Sequence, residues 1–281
     1  MEKDLSTLYN IAEEIRKNVF KTICRSSGGH IASSFSIVEI LTALYFGNVL
    51  NYDSKNPNNP ERDRFVLSKG HGAVALYATL FKAGYFGEST LNTYCHRESK
   101  LGSLANMDVS MGIEASTGSL GHGFGFAGGI AWTGKNKGKK YKVYALIGDG
   151  ECQEGSIWEG ALFASQNCLD NFITIIDFNK LQAMDRLEKI VSIEPLAQKW
   201  EAFGWEVKEV DGHDIKQIID VLTEPTCSKG KPRVVIAHTI KGKGVGYMEN
   251  SPTWHYRFPN GDEMETAMLE LGIRRQELMS D

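Results

Sequence analysis

The sequence predicts an α/β protein, a doubly wound parallel sheet with helices on both faces, and three observations carry that expectation. Short apolar, strand-like runs alternate with helix-like segments, the pattern of parallel strands joined by crossover helices. In the stretch YALIGDGECQEGSIWEGALFASQNCLDNFITIIDFNK, residues 144 to 180, one apolar run stops at Gly148-Asp149-Gly150 and the next ends at Asn179. Residues 100 to 129 hold eight glycines, which marks backbone that bends sharply or is closely approached.

The elements follow in order. Leu5, Leu8, Ile11, Ala12, Ile15, Val19 and Ile23 recur at helical spacing, so residues 5 to 24 read as an amphipathic helix. A Ser-Ser-Gly-Gly-His break follows at 26 to 30, and Ile37 to Phe46 reads as a second helix. Residues 51 to 63, NYDSKNPNNPERD, form a polar loop rich in Pro and Asn. Phe65 to Ser68 is a short strand, and Lys69-Gly70-His71-Gly72 opens a helix running to about Lys82. Beyond the glycine-rich region come strand Val143–Ile147, helix Ser156–Gln166 and strand Phe172–Asp177. Then come strand Trp205–Val210, helix Ile215–Leu222, strand Val234–His238 and a helical tail from Glu263. With no repeat, linker or boundary in sight, one domain is expected over residues 1 to 281, with a C-terminal tail from about 242.

Composition narrows the function classes. A chain of 281 residues, 42% hydrophobic, is ample for one large core. The formal net charge is 31 − 35 = −4 with no basic block, so no nucleic-acid partner is expected. The opening MEKDLSTLYNIAEEIRK lacks an apolar signal core. No apolar run approaches the ~20 residues that span a bilayer, so no membrane partner is expected either. Cys24, Cys95, Cys152, Cys168 and Cys227 are scattered, with no Cys-x-x-Cys pair. Such thiols suggest a reducing, cytoplasmic setting rather than a disulfide framework. Cys152, beside the quoted turn, reads as a buried thiol.

The quoted stretch carries the chemistry. Parallel strands bind ligands at their carboxyl ends, near a switch in strand order, and Gly148-Asp149-Gly150 sits at such an end. Glycine on both sides lets a bulky anion approach the backbone, and a helix starting near residues 154 to 156 favours phosphate at its N-terminus. A lone carboxylate there would repel phosphate unless a cation lay between them. Mg²⁺ is the natural bridge, taking one or two protein oxygens and completing its shell with phosphate oxygens. Asn179, thirty residues after Asp149 and at the end of the next strand, can add a neutral amide oxygen. The competing dinucleotide site would want Gly-x-Gly-x-x-Gly directly after a strand; Gly121-His122-Gly123-Phe124-Gly125 follows none.

With these residues in hand the chain resembles a known family. GDG with an Asn thirty residues on is similar to the thiamine diphosphate motif. GDGECQEGSIWEG, DRFVLSKGHGAVALY and GIEASTGSLGHG together resemble transketolase, over about residues 10 to 258. The resemblance covers the N-terminal half of a full-length transketolase, the domain that holds the diphosphate. It implies the thiamine diphosphate-binding fold, with Asp149, Asn179 and the Leu181 carbonyl holding Mg²⁺ and Gly150 meeting the diphosphate. It also implies that Gly118, Ser119 and Leu120 present backbone to the aminopyrimidine ring. His30 and His71 lie at turns facing the ligand edge; the resemblance puts His30 at the sugar hydroxyls, His71 at the diphosphate, and His255 near both. Glu154 and Glu159 resemble glutamates lining the interface between two active sites, although their five-residue spacing does not place them on one helix face. His122 favours a packing role, and His96, His213 and His238 read as structural.

One family feature is missing. A Gly-His-Pro that touches the first hydroxyl of the ketose donor is replaced here within LGSLANMDVSMGIEAS, where Ala105, Asn106 and Met107 fill the gap and are expected to form a less polar wall. The activating glutamate and the phosphate-gripping arginines of the family lie on a second domain beyond this sequence. The resemblance therefore implies one subunit of a split transketolase, two copies joining two C-terminal-type subunits, transferring a two-carbon ketol unit from a ketose to an aldose. The alternatives are a synthase using pyruvate or a deoxy or modified sugar as donor, and a cofactor-binding scaffold without catalysis.

Overall fold

Five parallel strands make one sheet in the computed structural model, which describes residues 4–26, 28–225 and 230–279; Cys227 lies outside the described residues. The strands are β1 (Arg64–Leu67), β2 (Val143–Gly148), β3 (Phe172–Phe178), β4 (Glu206–Asp211) and β5 (Arg233–His238), in the order β1-β2-β3-β5-β4. Every pairing is parallel, with Gly148 in register with Asp177 and Asp177 with Ala237. The helices are α1 (Leu5–Ser26), α2 (Ile31–Phe35), α3 (Val38–Phe46), α4 (Ala73–Lys82), α5 (Glu88–Leu91), α6 (His122–Asn136), α7 (Gly155–Gln166), α8 (Leu187–Ile190), α9 (Leu196–Ala202), α10 (Ile215–Thr223), α11 (Asp262–Glu270) and α12 (Arg275–Met279).

The alternation of side chains along each strand feeds two cores. Tyr144 and Leu146 of β2 pack with α1, α3, α4 and α10, while Val143, Ala145 and Ile147 pack with α6, α7 and α9 on the opposite face. Strands β2 and β3 are buried from end to end, as a sheet covered on both faces requires. The predicted periodicity of α1 is realised: Leu8, Ala12, Ile15, Val19 and Ile23 are buried against the first core. Helix α10 is amphipathic and N-capped by Asp214, which accepts from the Gln217 N–H at 3.1 Å.

One departure and one packing feature bear on function. The glycine-rich stretch runs into a helix, α6, that begins at His122 and continues to Asn136. Its glycines admit close neighbours: a Cβ on Gly123 would lie 2.7 Å from Ser68, and one on Gly134 2.6 Å from Tyr141. The tail is packed into the core. Val245, Met248, Trp254, Met268, Leu271 and Ile273 belong to the same apolar cluster as α1, and Arg257 forms a parallel bridge with His30. On the outer surface of α6 and α7, Phe126, Trp132, Leu162 and Phe163 stand exposed. No helix among the described residues is long and apolar enough to cross a membrane.

Candidate cofactor site

Four strand ends deliver one polar residue each to the same edge of the sheet. Lys69 follows β1, Asp149 follows β2, Asn179 follows β3 and Lys241 follows β5. Strand β5 inserts between β3 and its predecessor β4, so the strand order reverses beside this edge, where α/β sheets bind ligands. A cavity of about 450 Å³ opens there, and all four residues line it.

Asp149 is buried in a tight turn; its Oδ1 accepts from the Gly150 N–H at 2.7 Å and its Oδ2 from the Lys180 N–H. Burial, aided by the charge of Asp177, pushes its carboxyl up to about 7 against the pull of those two amides. Asn179 accepts the Leu181 N–H at 3.0 Å through Oδ1 and donates through Nδ2 to Asp177 at 3.0 Å. Lys180 takes a positive φ of 63°, which turns the chain so that Asn179 and Leu181 both line the cavity. The Leu181 carbonyl accepts from Lys241 Nζ at 3.3 Å, and the Gln182 carbonyl does so at 3.0 Å.

One carboxylate, one amide and one carbonyl thus converge, and the described residues hold no cluster of three or more His, Cys, Asp or Glu that could cage a metal unaided. That donor set suits Mg²⁺ with phosphate oxygens completing its shell. The buried His30 Nδ1 and Gln182 Nε2 have no hydrogen-bond partner among the described residues, and both residues line the cavity. Such orphaned groups at a cavity wall fit a polar ligand. A Cβ on Gly150 would meet the Gln182 side chain at 3.1 Å, so glycine there preserves the space beside it.

The three predicted histidines meet. Ring centroids are 5.6 Å apart for His30 and His71, 5.2 Å for His30 and His255, and 5.5 Å for His71 and His255. Burial, then the charge of Lys241, lowers His30 to about 4 and His255 to about 3, and burial with Lys69 holds His71 well below its usual value. At neutral pH all three are uncharged imidazoles, able to hydrogen-bond hydroxyls in either sense. Lys241, which faces His255 Nδ1 at 3.0 Å, is itself lowered to about 8 by burial and by Lys69.

Gly150, Gly118, Leu120 and Glu154 also line the cavity; Ser119, Glu159 and His122 lie outside its wall. Backbone geometry makes Gly118 a glycine: its φ is 147°, and a Cβ would lie 2.5 Å from Leu104 Cδ1. His96 sits in an exposed depression with Ser89 and Lys100. His213 accepts the Ile240 N–H at 2.8 Å through Nε2, leaving Nδ1 to donate to Glu39 at 2.9 Å. His238 pairs with Glu209 at 2.7 Å. Cys152 is buried, and burial holds its thiol well above its usual value.

One expectation needs correction. Ala105, Asn106 and Met107 do not line the cavity; Leu104 does. Ala105 is turned into the first core and its carbonyl accepts the Thr117 N–H, while Met107 is 58% exposed. The Leu104 carbonyl is held by the Tyr77 hydroxyl at 3.1 Å. Sequence reasoning also missed Glu151, which accepts from Ser68 and from the Gly121 N–H at 2.8 Å and the Gly148 N–H at 3.1 Å. It thereby ties three segments of the cavity wall together.

The sequence profile of the family described as "Transketolase, thiamine diphosphate binding domain" matches residues 8–279. The chain belongs to the transketolase family. It is 48% identical over 261 residues to one subunit of the apulose-4-phosphate transketolase of Actinobacillus succinogenes, covering 92% of this chain and 94% of that protein. It is 40% identical over 271 residues to a 6-deoxy-6-sulfo-D-fructose transketolase subunit of Clostridium sp., covering 96% and 98%. The solved transketolase of Campylobacter jejuni superposes with a TM-score of 0.89 at 28% identity, over 96% of this chain and 43% of that one. The chain thus spans less than half the length of that transketolase, and its parallel sheet with helices on both faces is the thiamine diphosphate-binding α/β fold of the family.

Proposed function

We propose that this chain is the diphosphate-holding subunit of a two-part, thiamine diphosphate-dependent transketolase that moves a two-carbon ketol unit from a ketose to an aldose. The observation that carries the reading is the convergence of Asp149, Asn179 and the Leu181 carbonyl on one cavity with three uncharged histidines. Asp149, Asn179 and the Leu181 carbonyl would hold Mg²⁺, and His71, Gly150 and Lys241 would face the diphosphate. The backbone from Gly118 to Leu120 would face the aminopyrimidine ring. When bound, thiamine diphosphate supplies the carbon nucleophile and the electron sink for the broken carbon–carbon bond. His30 and His255 would hold the sugar hydroxyls, and Glu154 would stand at the rim toward α7.

The names of the relatives, each one subunit of a transketolase, support a partner of C-terminal transketolase type, in a two-plus-two assembly that supplies the activating glutamate. The apolar outer surface of α6 and α7 fits an interface in such an assembly. The same names, one a phosphate and one a sulfonate, support a sugar carrying an anionic group away from the reacting carbons. The scattered thiols fit a cytoplasmic setting. Leu104 in the cavity wall favours one second reading, a donor that lacks a hydroxyl at its first carbon. A scaffold without catalysis is disfavoured because the histidine cluster and the metal donors are both assembled. The test is turnover: the chain alone transfers no ketol unit, and adding the partner restores transfer. Robust transfer by the partner-free chain would refute the two-part reading.

A further inference from the structure

Asp177 lies at the carboxyl end of β3, fully buried, two residues before Asn179. Its Oδ2 accepts from Lys69 Nζ, from the Ser36 hydroxyl at 2.8 Å and from Asn179 Nδ2 at 3.0 Å; its Oδ1 accepts from the Thr239 hydroxyl. Both oxygens are hydrogen-bonded within the protein, and Asp177 does not line the cavity. Its relation to Asn179 is the informative one.

An amide side chain has two nearly isosteric ends, and only the oxygen can bind a cation. Two neighbours decide which end goes where. An ionised carboxylate accepts and cannot donate, so the end of Asn179 against Asp177 has to be the NH₂ group. The Leu181 N–H donates and cannot accept, so the end against it has to be oxygen. The amide is oriented from both sides, and its oxygen is left on the side of the Leu181 loop. Lys69 is the cation that faces this carboxylate. Its ammonium forms a buried ion pair with Oδ2, and the Ser36 and Thr239 hydroxyls donate to the same carboxylate.

We infer that Asp177 is a positioning residue for the metal site, fixing the Asn179 side chain so that its oxygen and not its nitrogen is available to the cation. The Lys69–Asp177 pair is therefore more than a structural tie between strand ends. The inference rests on the metal reading proposed above.

The test is a charge swap in the chain assembled with its partner, with Mn²⁺ as the probe, bound in the presence of thiamine diphosphate and followed by electron spin resonance. Asp177→Asn weakens Mn²⁺ binding by about 10- to 100-fold, the range for groups that orient a metal ligand. Asn179→Asp alone places a second carboxylate beside Asp177 and is thermally destabilised. The double variant Asp177→Asn with Asn179→Asp puts oxygen at both ends of residue 179 and removes the repulsion, so it recovers Mn²⁺ binding over the Asp177→Asn variant. A purely structural Asp177 predicts a lower melting temperature with no such recovery. Unchanged Mn²⁺ binding in Asp177→Asn, or a folded double variant that binds no better than it, overturns the inference. If Asp177→Asn does not fold, the double variant is compared with Asp149→Ala, and equal binding in those two overturns it. Asp149→Ala is the separate control: if it still binds Mn²⁺ as the parent chain does, the metal reading itself fails.

Discussion

Asp149 and Asp177 stand at the ends of neighbouring strands, both buried, and their surroundings make them opposites. Asp177 is gripped by an ammonium, two hydroxyls and an amide from four segments of the chain. Asp149 has two backbone N–H groups and an open cavity. The first is held below its ordinary value and the second pushed up to about 7, burial opposing the charge on both. The difference teaches that a buried carboxylate is structural or functional according to how many of its lone pairs the protein fills. Asp177 spends its oxygens on neighbouring side chains, Asn179 among them; Asp149 is left under-satisfied at the cavity wall.

The largest expected effect follows from that contrast. Asp149→Ala abolishes thiamine diphosphate retention in the assembled complex, measured by calorimetry; unchanged affinity would sink its assignment as metal ligand. The same change does not lower the unfolding free energy of the cofactor-free chain at neutral pH, because a buried, poorly compensated acid contributes no stability once it must ionise.

Asp177→Ala does the reverse to the fold. It leaves Lys69 buried and unpaired, and breaking a buried pair in this way costs about 3–5 kcal/mol, read by denaturant unfolding. If both aspartates proved equally dispensable to stability, the contrast would collapse.

The pH dependence sharpens it. The Asp149 value is raised on folding, so its contribution is fully present below the ordinary 3.8 and lost as pH rises through about 7. Asp177 is lowered on folding, so its contribution is present above 3.8 and lost only as pH falls below it. Relative to Asp149→Asn, the cofactor-free parent chain therefore loses stability between about pH 4 and 7, while relative to Asp177→Asn it holds steady there. Parallel trends in the two comparisons would contradict the assignment.

The smallest effect concerns the donor. A hydrogen bond to a substrate hydroxyl is worth roughly 0.5–1.5 kcal/mol net, and Leu104 offers none. The reconstituted enzyme is expected to discriminate weakly between a ketose and its 1-deoxy analogue, or between hydroxypyruvate and pyruvate, in kcat/KM. A strong preference for the hydroxylated donor that disappears on changing Asn106 or His96 would show that another residue has taken over the contact.

What is legible in the sequence follows the same line. Asp149 and Asn179 stand out because they interrupt or end apolar runs, His30 because it closes a Ser-Ser-Gly-Gly break, and His71 because a glycine flanks it on each side. Asp177 hides inside the run FITIIDF, where a strand residue gives no sign of its partners. Lys69 and Lys241 give no signal because lysines are almost never fully buried unless paired, and their pairing is a product of the fold. Helix α6 is concealed by its own glycines, each about 1 kcal/mol worse than alanine in a helix; close packing against Ser68 and Tyr141 overrides that preference. Leu104 and Ala105 differ by one position, and the contacts that hold them, Tyr77 to the first carbonyl and Thr117 to the second, leave no trace in the sequence.

The bridge between His30 and Arg257 has a practical bearing on where this protein can be cut. A truncation at about residue 242 would remove His255 and the strand-like tie that seats His30 beside it. It would also strip Trp254, Met268 and Ile273 from the core under α1. A shortened version built for crystallisation or fusion would lose a wall of its ligand chamber together with part of its foundation, so the workable boundary lies after α12 and not before the loop that carries His255.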